Sequence, residues 1–508
     1  MGYLLYCFEC ARENWQNYVA NFGNFKYHAR LCVLRAHMDK YEVVIIGSGP
    51  GGYIAAIRAA QLGYNVAIVE REDNLGGVCL NWGCIPTKAL LKSAQLYKKI
   101  LSASSFGIKI TGDVEVDIQS IVAHSRDAVA KLSCGVSMLM KKNGIKVYKG
   151  CARIAGKGEI HVDNDGVKSA LSAKHIILAT GGRPRIATNL DTKLLWSSKD
   201  AMLPETLPKS LLIIGSGAIG IEFASFYSTL GSKVTIVEMQ DRILPLEDRD
   251  ISLSMHEILK NQGVDVFTAC SVMDLVQSAS SMTAQIVNNG AKDTITSSFE
   301  RVICAIGISP NSGNLGLEDT KVQLDKGGFI ITDGMCQTSE PGIYAIGDVA
   351  GPPCLAHKAS HEAVICVEGI AKKDGRISTA PSTLHKNNIP SCIYSIPQIA
   401  SVGLTEDAAQ AQGLEIKVGI SRASCNGKAI ASGESDGFVK VILCSKTGEL
   451  LGAHMLGSEV TEMINGYIVG RQLEATDLDI AHTIFPHPTL SEMMHSAILS
   501  AWKEPLDS

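Results

Sequence analysis

Two cysteines lie close together in the segment GGVCLNWGCIPTK, which runs from Gly76 to Lys88. Cys79 and Cys84 are separated by four residues, and glycines and a proline punctuate the chain around them. A zinc site typically needs a cysteine pair two residues apart and a second ligand pair, and no such second pair follows downstream. The two cysteines are therefore either a redox-active disulfide or two unrelated buried thiols.

The backbone must depart from a regular helix to bring these two sulfurs together. Residues five apart on an ideal helix point roughly 140° away from each other, so they cannot pair across a regular turn. Gly83 supplies the backbone freedom for a distorted turn. Pro86 is tolerated best in the first turn of a helix or at a kink. The sequence therefore predicts a distorted turn at the second cysteine.

The composition excludes several classes of protein. The 508 residues are 46% hydrophobic and 19% charged, which is ordinary for a soluble chain of several domains. A formal net charge of -4 provides no general field for polyanions, so we expect no nucleic acid partner. Apolar runs end well short of the ~20 residues that a membrane-spanning helix needs, so we expect no membrane segment. The 15 cysteines are scattered, as in a protein kept reduced.

A glycine-rich turn follows an apolar strand near residue 46 and is followed by a helical segment and a second strand. The turn has the spacing G-x-G-x-x-G, and the second strand ends in Glu70. The first glycine permits the tight turn, the second lets the backbone approach a pyrophosphate, and the third lets the helix pack on the strand. The fingerprint glycines are Gly47, Gly49 and Gly52. This βαβ pattern predicts a dinucleotide-binding unit, in which Glu70 binds ribose hydroxyls.

The same pattern returns later in the chain, at Gly215, Gly217 and Gly220, and closes with Glu238. A chain with two such units binds two nucleotides or one nucleotide twice; the alternative is a duplicated structural core with one inactive site. The Glu238 carboxylate would accept hydrogen bonds from a 2'-hydroxyl and repel a 2'-phosphate. The second unit is therefore predicted to prefer NAD(H) over NADP(H).

Two further motifs complete the pattern: GIYAIGDVAG at 342–351 and FPHPTLSEMM at 485–494. With them, the chain resembles the flavin disulfide reductases, in family order from about residue 41 to the C-terminus, and within these the dihydrolipoamide dehydrogenases. Glutathione reductases usually read C-V-N-V-G-C and favour NADPH, and mercuric reductases carry another cysteine pair at the C-terminus. Here the core reads C-L-N-W-G-C, with Trp82 where valine is more usual.

The resemblance implies an α/β fold with two Rossmann-like dinucleotide-binding domains, for FAD and NAD, and a C-terminal α+β dimerisation domain. The expected division is an N-terminal extension that is dispensable (1–38), an FAD-binding domain (39–190), an NAD-binding domain (191–310), a central segment completing the FAD domain (311–383) and the dimerisation domain (384–508).

The resemblance also implies which residues bind the cofactors, and it implies no metal. For FAD they are Gly47, Gly49, Gly52, Glu70, Lys88, Gly150, Thr180, Gly181, Gly182, Asp348, Leu355, Ala356 and His357. For NAD they are Gly215, Gly217, Gly220, Glu222, Glu238 and Gly307. Lys88 is expected to pair with Glu222 near the flavin ring, the alternative being a plain surface lysine. Asp348 could instead be a turn former, and His357 could be only structural.

The implied reaction moves two electrons from dihydrolipoyl groups to NAD+ through a Cys79–Cys84 disulfide. Cys79 is expected to exchange with the substrate and Cys84 to contact the flavin. His487 is the expected base, held by Glu492, and the peptide bond before Pro488 is expected to be cis. The alternative is a His-Pro turn with TLSE as a capping box that starts the last helix.

The expected partners are a second copy of the chain, forming a homodimer, and the lipoyl domains and E3-binding region of the E2 acyltransferase. The expected location is the cytoplasm in a bacterium or the mitochondrial matrix in a eukaryote. Two other functions stay open: another flavin disulfide reductase, similar to glutathione reductase, and a non-catalytic binding protein on the same fold. The second would be expected to have lost the cysteine pair or the His-Glu pair, and both are intact.

Overall fold

The structure is a computed structural model that describes residues 38–186, 193–290 and 293–504. The N-terminal extension predicted for residues 1–38 lies outside this range apart from its last residue. Among the described residues, no helix combines the length and the apolar character needed to cross a membrane.

Strands and α-helices follow one another along the described chain, with two long runs of strands that no α-helix interrupts. The strands are β1 Asp39–Ile46, β2 Val66–Glu70, β3 Lys146–Lys149, β4 Cys151–Gly156, β5 Glu159–Asn164, β6 Val167–Leu178, β7 Gly182–Pro184, β8 Leu195–Trp196, β9 Ser210–Ile214, β10 Lys233–Val237, β11 Asp265–Phe267, β12 Cys270–Gln277, β13 Met282–Asn288, β14 Thr294–Phe299, β15 Arg301–Cys304, β16 Ile308–Pro310, β17 Ile343–Ala345, β18 Ser391–Ile393, β19 Gln398–Gly403, β20 Ile416–Arg422, β21 Phe438–Cys444 and β22 Leu450–Gly457. The α-helices are α1 Pro50–Gln61, α2 Gly77–Trp82, α3 Cys84–Leu101, α4 Ile118–Lys142, α5 Ala218–Thr229, α6 Arg249–Asn261, α7 Ala356–Lys373, α8 Glu406–Ala411, α9 Gly427–Ala431, α10 Val460–Gln472, α11 Asp477–Ala481 and α12 Glu492–Ala501. Short 3-10 turns lie at Ala103–Phe106, Asp200–Met202, Leu317–Asp319, Gly347–Ala350, Lys386–Asn388 and Ala423–Cys425.

One compact unit contains the described residues 38–75, 137–180 and 312–381. Its sheet has the strand order β3-β2-β1-β6-β5-β4, with β17 beside β6. Strand β1 pairs in parallel with both β2 and β6, and α1 connects β1 to β2, which is the predicted βαβ arrangement. Because parallel strands end at the same edge of a sheet, the glycine turn after β1 lies beside Glu70 at the end of β2.

Helix packing explains why small residues follow the first strand. Helix α1 packs against α7 in this unit. A Cβ atom on Gly51 would lie 3.3 Å from the carbonyl oxygen of Ala359, so the two helices approach closely at a residue without a side chain. Apolar residues of the strands, among them Val44, Ile46 and Ala67, form the core beneath them.

The second unit contains the described residues within 76–136, 181–311 and 382–504. It repeats the parallel arrangement in a five-stranded sheet of order β11-β10-β9-β15-β8, and adds the antiparallel sheet β12-β13-β14. Helix α5 follows β9 and packs against α3, the helix that begins at the second cysteine. This packing places the side chains of α5 beside those of α3.

The C-terminal part of the same unit is built on an antiparallel sheet of order β18-β19-β22-β21-β20. Helix α10 packs on β19 and β22, and helix α12 packs on β20 and β21. Helix α12 lies so close to β20 that a Cβ atom on Gly419 would come within 2.0 Å of the carbonyl oxygen of Ala497. The sheet therefore fixes the position of α12, the helix that begins at Glu492.

Candidate active site

The two cysteines meet where the helix is interrupted. Helix α2 ends at Trp82, and Gly83 takes φ -146° and ψ -112° before α3 begins at Cys84. Pro86 lies in the first turn of α3, where the missing backbone N–H costs nothing. The geometry thus has the interruption that the sequence predicted. Both cysteines are free thiols in the structure, and their side chains are joined by a hydrogen bond.

The two thiols differ in acidity. The hydrogen bond with Cys79 is the largest influence on Cys84 and lowers the pKa of its thiol to about 7, and the nearby Lys88 charge lowers it further. The same hydrogen bond, together with burial, raises the pKa of Cys79. Since the thiolate is the reactive form in disulfide exchange, Cys84 is the sulfur that this environment stabilises as an anion.

Lys88 lies one helical turn after Cys84, on the same face of α3. Its ammonium donates to both carboxylate oxygens of Glu222 on α5, at 2.9 and 3.0 Å. Glu222 also accepts from the backbone N–H of Tyr394 at 2.9 Å, and the ammonium lies 4.6 Å from the centre of the Tyr394 ring. The glutamate is almost buried, with 7% of its side chain exposed, so the ion pair is held from several directions.

Trp82, between the two cysteines in sequence, packs between two cations. The Lys199 ammonium lies 4.1 Å from its ring and the Arg126 guanidinium 5.2 Å. Arg126 also donates to the backbone carbonyl of Asn81 at 2.8 Å. These contacts fix the end of α2 just before the interruption. Neither Arg126 nor Lys199 was predicted as part of this group, because both are distant from the cysteines along the chain.

A histidine and a glutamate form a second group in the C-terminal segment. His487 Nδ1 lies 2.9 Å from Glu492 Oε1, and Glu492 Oε2 accepts the backbone N–H of Thr489 at 2.9 Å. The Thr489 N–H is the largest cause of the lowered pKa of Glu492, so the carboxylate is charged at neutral pH. The His487-Pro488 peptide bond is cis, as predicted. A proton held on Nδ1 leaves Nε2 to act as the base.

The segment has one half of the capping box that the alternative describes, because the Glu492 side chain accepts the backbone N–H of Thr489. Helix α12 has Ser491 as its N-cap, without a side-chain hydrogen bond to the helix. The Thr489 hydroxyl donates to the Pro486 carbonyl instead, at 2.7 Å. Both Glu492 oxygens are therefore used to fix the loop and the imidazole. The imidazole itself is 80% exposed in the single chain.

The cysteine group and the histidine group are separate within one chain. Across the residues that the structure describes, no hydrogen bond or ion pair joins His487 or Glu492 to Cys79, Cys84 or Lys88. The structure thus brings together the predicted thiols with Lys88 and Glu222, and the predicted base with its glutamate, as two sets.

The first and third glycines of both nucleotide turns occupy positions that exclude side chains. Gly47 and Gly215 have φ of 101° and 96°, in the left-handed region that favours glycine. A Cβ on Gly52 would lie 1.9 Å from the Gly47 carbonyl oxygen, and one on Gly220 would lie 2.1 Å from the Gly215 carbonyl oxygen. The helix in each unit therefore rests directly on its turn.

The acids that close the two units are held by the turns. Glu70 and Glu238 expose 7% and 8% of their surface. Glu70 accepts from the backbone N–H and the hydroxyl of Ser48, at 2.9 and 2.6 Å. Glu238 accepts the same two bonds from Ser216, at 2.9 and 2.7 Å. The serines were not predicted, although each lies inside the G-x-G motif.

The GDVAG segment is positioned by a buried lysine that the sequence analysis missed. Lys358 on α7 donates to the carbonyl oxygens of Gly347 and Gly351, at 3.2 and 2.7 Å, and lies 3.1 Å from Glu362. These bonds hold the turn that contains Asp348. Burial raises the pKa of Asp348, and the Lys358 charge opposes this. A lysine in a helical sequence is usually solvent-exposed, so the sequence does not predict that Lys358 is buried against the GDVAG turn.

The remaining predicted cofactor residues lie at turns and at a helix start. Leu355 is the N-cap of α7, which begins with Ala356 and His357. Gly150 follows β3 and donates its backbone N–H to the Glu70 carbonyl at 2.8 Å. Further predicted residues at the ends of strands are Thr180, Gly181, Gly182 and Gly307. Their contacts with cofactor stay predictions.

Two dinucleotide-binding units with a thiol pair define a pyridine nucleotide-disulfide oxidoreductase. Residues 41–363 match the family model described as pyridine nucleotide-disulphide oxidoreductase, and residues 389–498 match its dimerisation domain. The chain belongs to this family, and the second match supports a homodimer.

Several relatives match over nearly the whole chain. The chain is 48% identical to a dihydrolipoyl dehydrogenase of Rhizobium etli, over 92% of this chain and 100% of that protein. It is 43% identical to the Bacillus subtilis dihydrolipoyl dehydrogenase, over 91% of this chain and 98% of the relative. Among solved structures, LpdA from Mycobacterium tuberculosis is 26% identical with a TM-score of 0.82, covering 91% of this chain and 99% of its own.

The residues present fit the two cofactors of the family, FAD and NAD. At the second turn, a Cβ on Gly217 would meet nothing within 4 Å, so the backbone there is open on the side where a pyrophosphate would approach. Each helix that follows a glycine turn points its N-terminus at that edge, which favours an anion. The glycines and Glu70 would hold FAD in the first unit, and their counterparts with Glu238 would hold NAD in the second.

Proposed function

We propose that this protein is an NAD+-dependent dihydrolipoyl dehydrogenase that oxidises the dihydrolipoyl groups of a 2-oxoacid dehydrogenase or glycine cleavage complex. The observation that carries the proposal is the Cys79–Cys84 pair, in which one sulfur is stabilised as a thiolate beside a lysine. The names of the relatives support the choice of substrate.

The first half of the proposed reaction is a thiol-disulfide exchange. In the oxidised enzyme, Cys79 and Cys84 are joined by a disulfide. His487 takes the proton of one substrate thiol, and the thiolate attacks Cys79, so that a mixed disulfide forms and Cys84 leaves as a thiolate. The second substrate thiol then attacks the mixed disulfide, which closes the lipoyl ring and releases Cys79. Two substrate thiols become one disulfide, and one enzyme disulfide becomes two thiols.

The second half returns the enzyme to its disulfide form as NAD+ becomes NADH and one proton is released. FAD, when bound, supplies the two-electron chemistry between the thiols and the nicotinamide. The ion pair with Glu222 keeps the Lys88 ammonium in place near Cys84, which stabilises the leaving thiolate. Glu492 orients the imidazole by its contact with Nδ1, so that Nε2 can take the proton of the substrate thiol.

The lipoyl domains and the E3-binding region of the E2 acyltransferase are the partners that this activity needs, and we include them in the proposal. The corresponding location is the bacterial cytoplasm, or the mitochondrial matrix in a eukaryote. The domain boundaries given above and the cofactor contacts of individual residues are part of the same proposal.

The test compares two substrate pairs with the purified FAD-loaded protein. We expect rapid NAD+ reduction with dihydrolipoamide, followed at 340 nm, and little or no NADPH oxidation with oxidised glutathione. The reverse result would assign the chain to the glutathione-reductase-like alternative. No turnover with either pair, in protein that retains FAD, would favour a binding protein.

A further inference from the structure

The two nucleotide units contain the same serine–glutamate hydrogen-bonding arrangement at the same sequence spacing. In each, a fully buried serine inside the G-x-G turn lies 22 residues before the acid that ends the second strand. Its N–H and hydroxyl both donate to one carboxylate oxygen. The backbone N–H two residues after the acid donates to the other oxygen, from Glu72 to Glu70 and from Gln240 to Glu238, both at 2.9 Å.

These bonds fix the direction of each carboxylate. A carboxylate offers about four acceptor sites, and the three donors occupy sites on both oxygens. Burying a carboxylate this deeply is costly in free energy unless such donors compensate for the lost water. Two of the three donors belong to the backbone and are set by the fold, whereas the third is a hydroxyl that the residue type decides. The serine therefore adds a constraint that the βαβ fold alone does not provide.

The negative charge of Glu238 opposes the binding of a nucleotide that carries a 2'-phosphate. Arg242, the first arginine after Glu238, donates to the Pro245 carbonyl at 3.3 Å. A carboxylate that is already held in place loses little side-chain entropy when it binds ribose hydroxyls. It also cannot rotate away from a 2'-phosphate, so the repulsion between the two negative charges remains. A hydroxyl that fixes the carboxylate thus strengthens the binding of NAD+ and weakens the binding of NADP+.

We propose that Ser216 is a positioning residue that sets the preference of the second unit for NAD+ over NADP+ by holding the Glu238 carboxylate. Ser48 has the same effect on Glu70 and acts on the adenosine half of FAD. The proposal rests on the assignment of NAD to the second unit, made above. The proposal assigns a role to Ser216, which occupies the variable x position of G-x-G and so is not specified by the dinucleotide fingerprint.

The duplication provides a matched pair of variants. The probes are ADP-ribose and its 2'-phosphate, titrated calorimetrically into FAD-loaded protein, so that no turnover is needed. We expect Ser216→Ala to weaken ADP-ribose binding roughly 3- to 10-fold, as for the loss of one hydrogen bond of ordinary strength, and to weaken binding of the 2'-phosphate analogue less. We expect Ser48→Ala to leave both affinities unchanged and to release FAD more readily. Equal losses for the two probes in Ser216→Ala would overturn the proposal.

A double-mutant cycle separates failure of this proposal from failure of the NAD assignment. If Ser216 acts through Glu238, Ser216→Ala adds little to the effect of Glu238→Gln. Full additivity, or weaker binding in Glu238→Gln together with unchanged binding in Ser216→Ala, would show that Ser216 does not act through Glu238 while the NAD site stands. No weakening in Glu238→Gln would overturn the NAD assignment itself. Should Ser216→Ala fail to fold, Ser216→Cys keeps nearly the same volume with a much weaker donor, and the same criteria apply.

Discussion

At the scale of single residues, the acidity of Cys84 depends on two opposite charges that are paired with each other. Lys88 lowers the pKa of the thiol and Glu222 raises it, while the hydrogen bond with Cys79 has the largest effect and lowers it. The net pKa of about 7 places the thiolate within the working range of a cellular enzyme. The ion pair thus keeps the Lys88 ammonium near the Cys84 sulfur and limits how far that ammonium lowers the Cys84 pKa.

Two substitutions should therefore move the Cys84 pKa in opposite directions. Lys88→Met removes the charge that favours the thiolate, so the pKa rises from about 7 toward its usual value of 9.0. Glu222→Gln removes the opposing charge, so the pKa falls. A thiol reacts with iodoacetamide as the thiolate, so at pH 6.5 we expect roughly threefold slower alkylation for Lys88→Met and faster alkylation for Glu222→Gln.

The measurement is the rate of Cys84 alkylation against pH in reduced enzyme, quantified on the Cys84 peptide by mass spectrometry. The control is Lys92→Met. Lys92 lies one turn further along α3, is exposed and contacts Gln95, so its removal should leave the profile unchanged. Shifts of the same sign in the Lys88 and Glu222 variants would contradict the opposing-charge account.

At the scale of elements, the sequence predicted what local patterns specify. The glycine spacing and the apolar runs on either side predicted two βαβ units, because tight turns and buried parallel strands each leave a short-range pattern. The pairing of His487 with Glu492 came from family resemblance, since four residues separate them and His487 lies before the helix that begins at Glu492. Lys358 and Ser216 were missed, because the lysine bonds to carbonyl oxygens of the preceding loop and the serine to the acid that follows the next strand, and neither contact leaves a periodic sequence pattern.

The second glycine turn allows a test that separates folding from nucleotide binding. A Cβ on Gly217 would meet nothing within 4 Å, and its φ of -68° suits any residue, so Gly217→Ala should change stability by less than about 1 kcal/mol. The added methyl group would lie where the pyrophosphate approaches, so NADH binding should weaken at least tenfold. Gly220→Ala places its Cβ 2.1 Å from a carbonyl oxygen and should destabilise the unit by about 2 kcal/mol or more.

Thermal unfolding by calorimetry, together with NADH titration, distinguishes the two glycine variants. Gly217→Ala should keep the transition temperature and lose affinity, whereas Gly220→Ala should lower the transition temperature. Unchanged NADH affinity in Gly217→Ala would mean that the pyrophosphate does not approach this turn.

At the scale of the whole molecule, the separation of the thiols from the base has a simple explanation in the dimer. The structure shows the His487 imidazole 80% exposed and bonded to Glu492, in the domain that matches the family's dimerisation domain. A two-fold dimer can place the base of one chain against the disulfide of its partner and build two equal sites. Each site would then take its cysteines from one chain and its histidine from the other.

This arrangement predicts complementation between two inactive variants. Cys84→Ser lacks the disulfide and His487→Gln lacks the base, so each homodimer should be nearly inactive while retaining FAD. A mixed dimer would contain one site with both changes and one intact site, because the histidine variant supplies the cysteines and the cysteine variant supplies the base. With a different affinity tag on each chain, purified mixed dimers should recover about half of the unmodified activity per dimer. If cysteines and base belonged to one chain, neither site in the mixed dimer could be intact, and a verified mixed dimer would remain inactive.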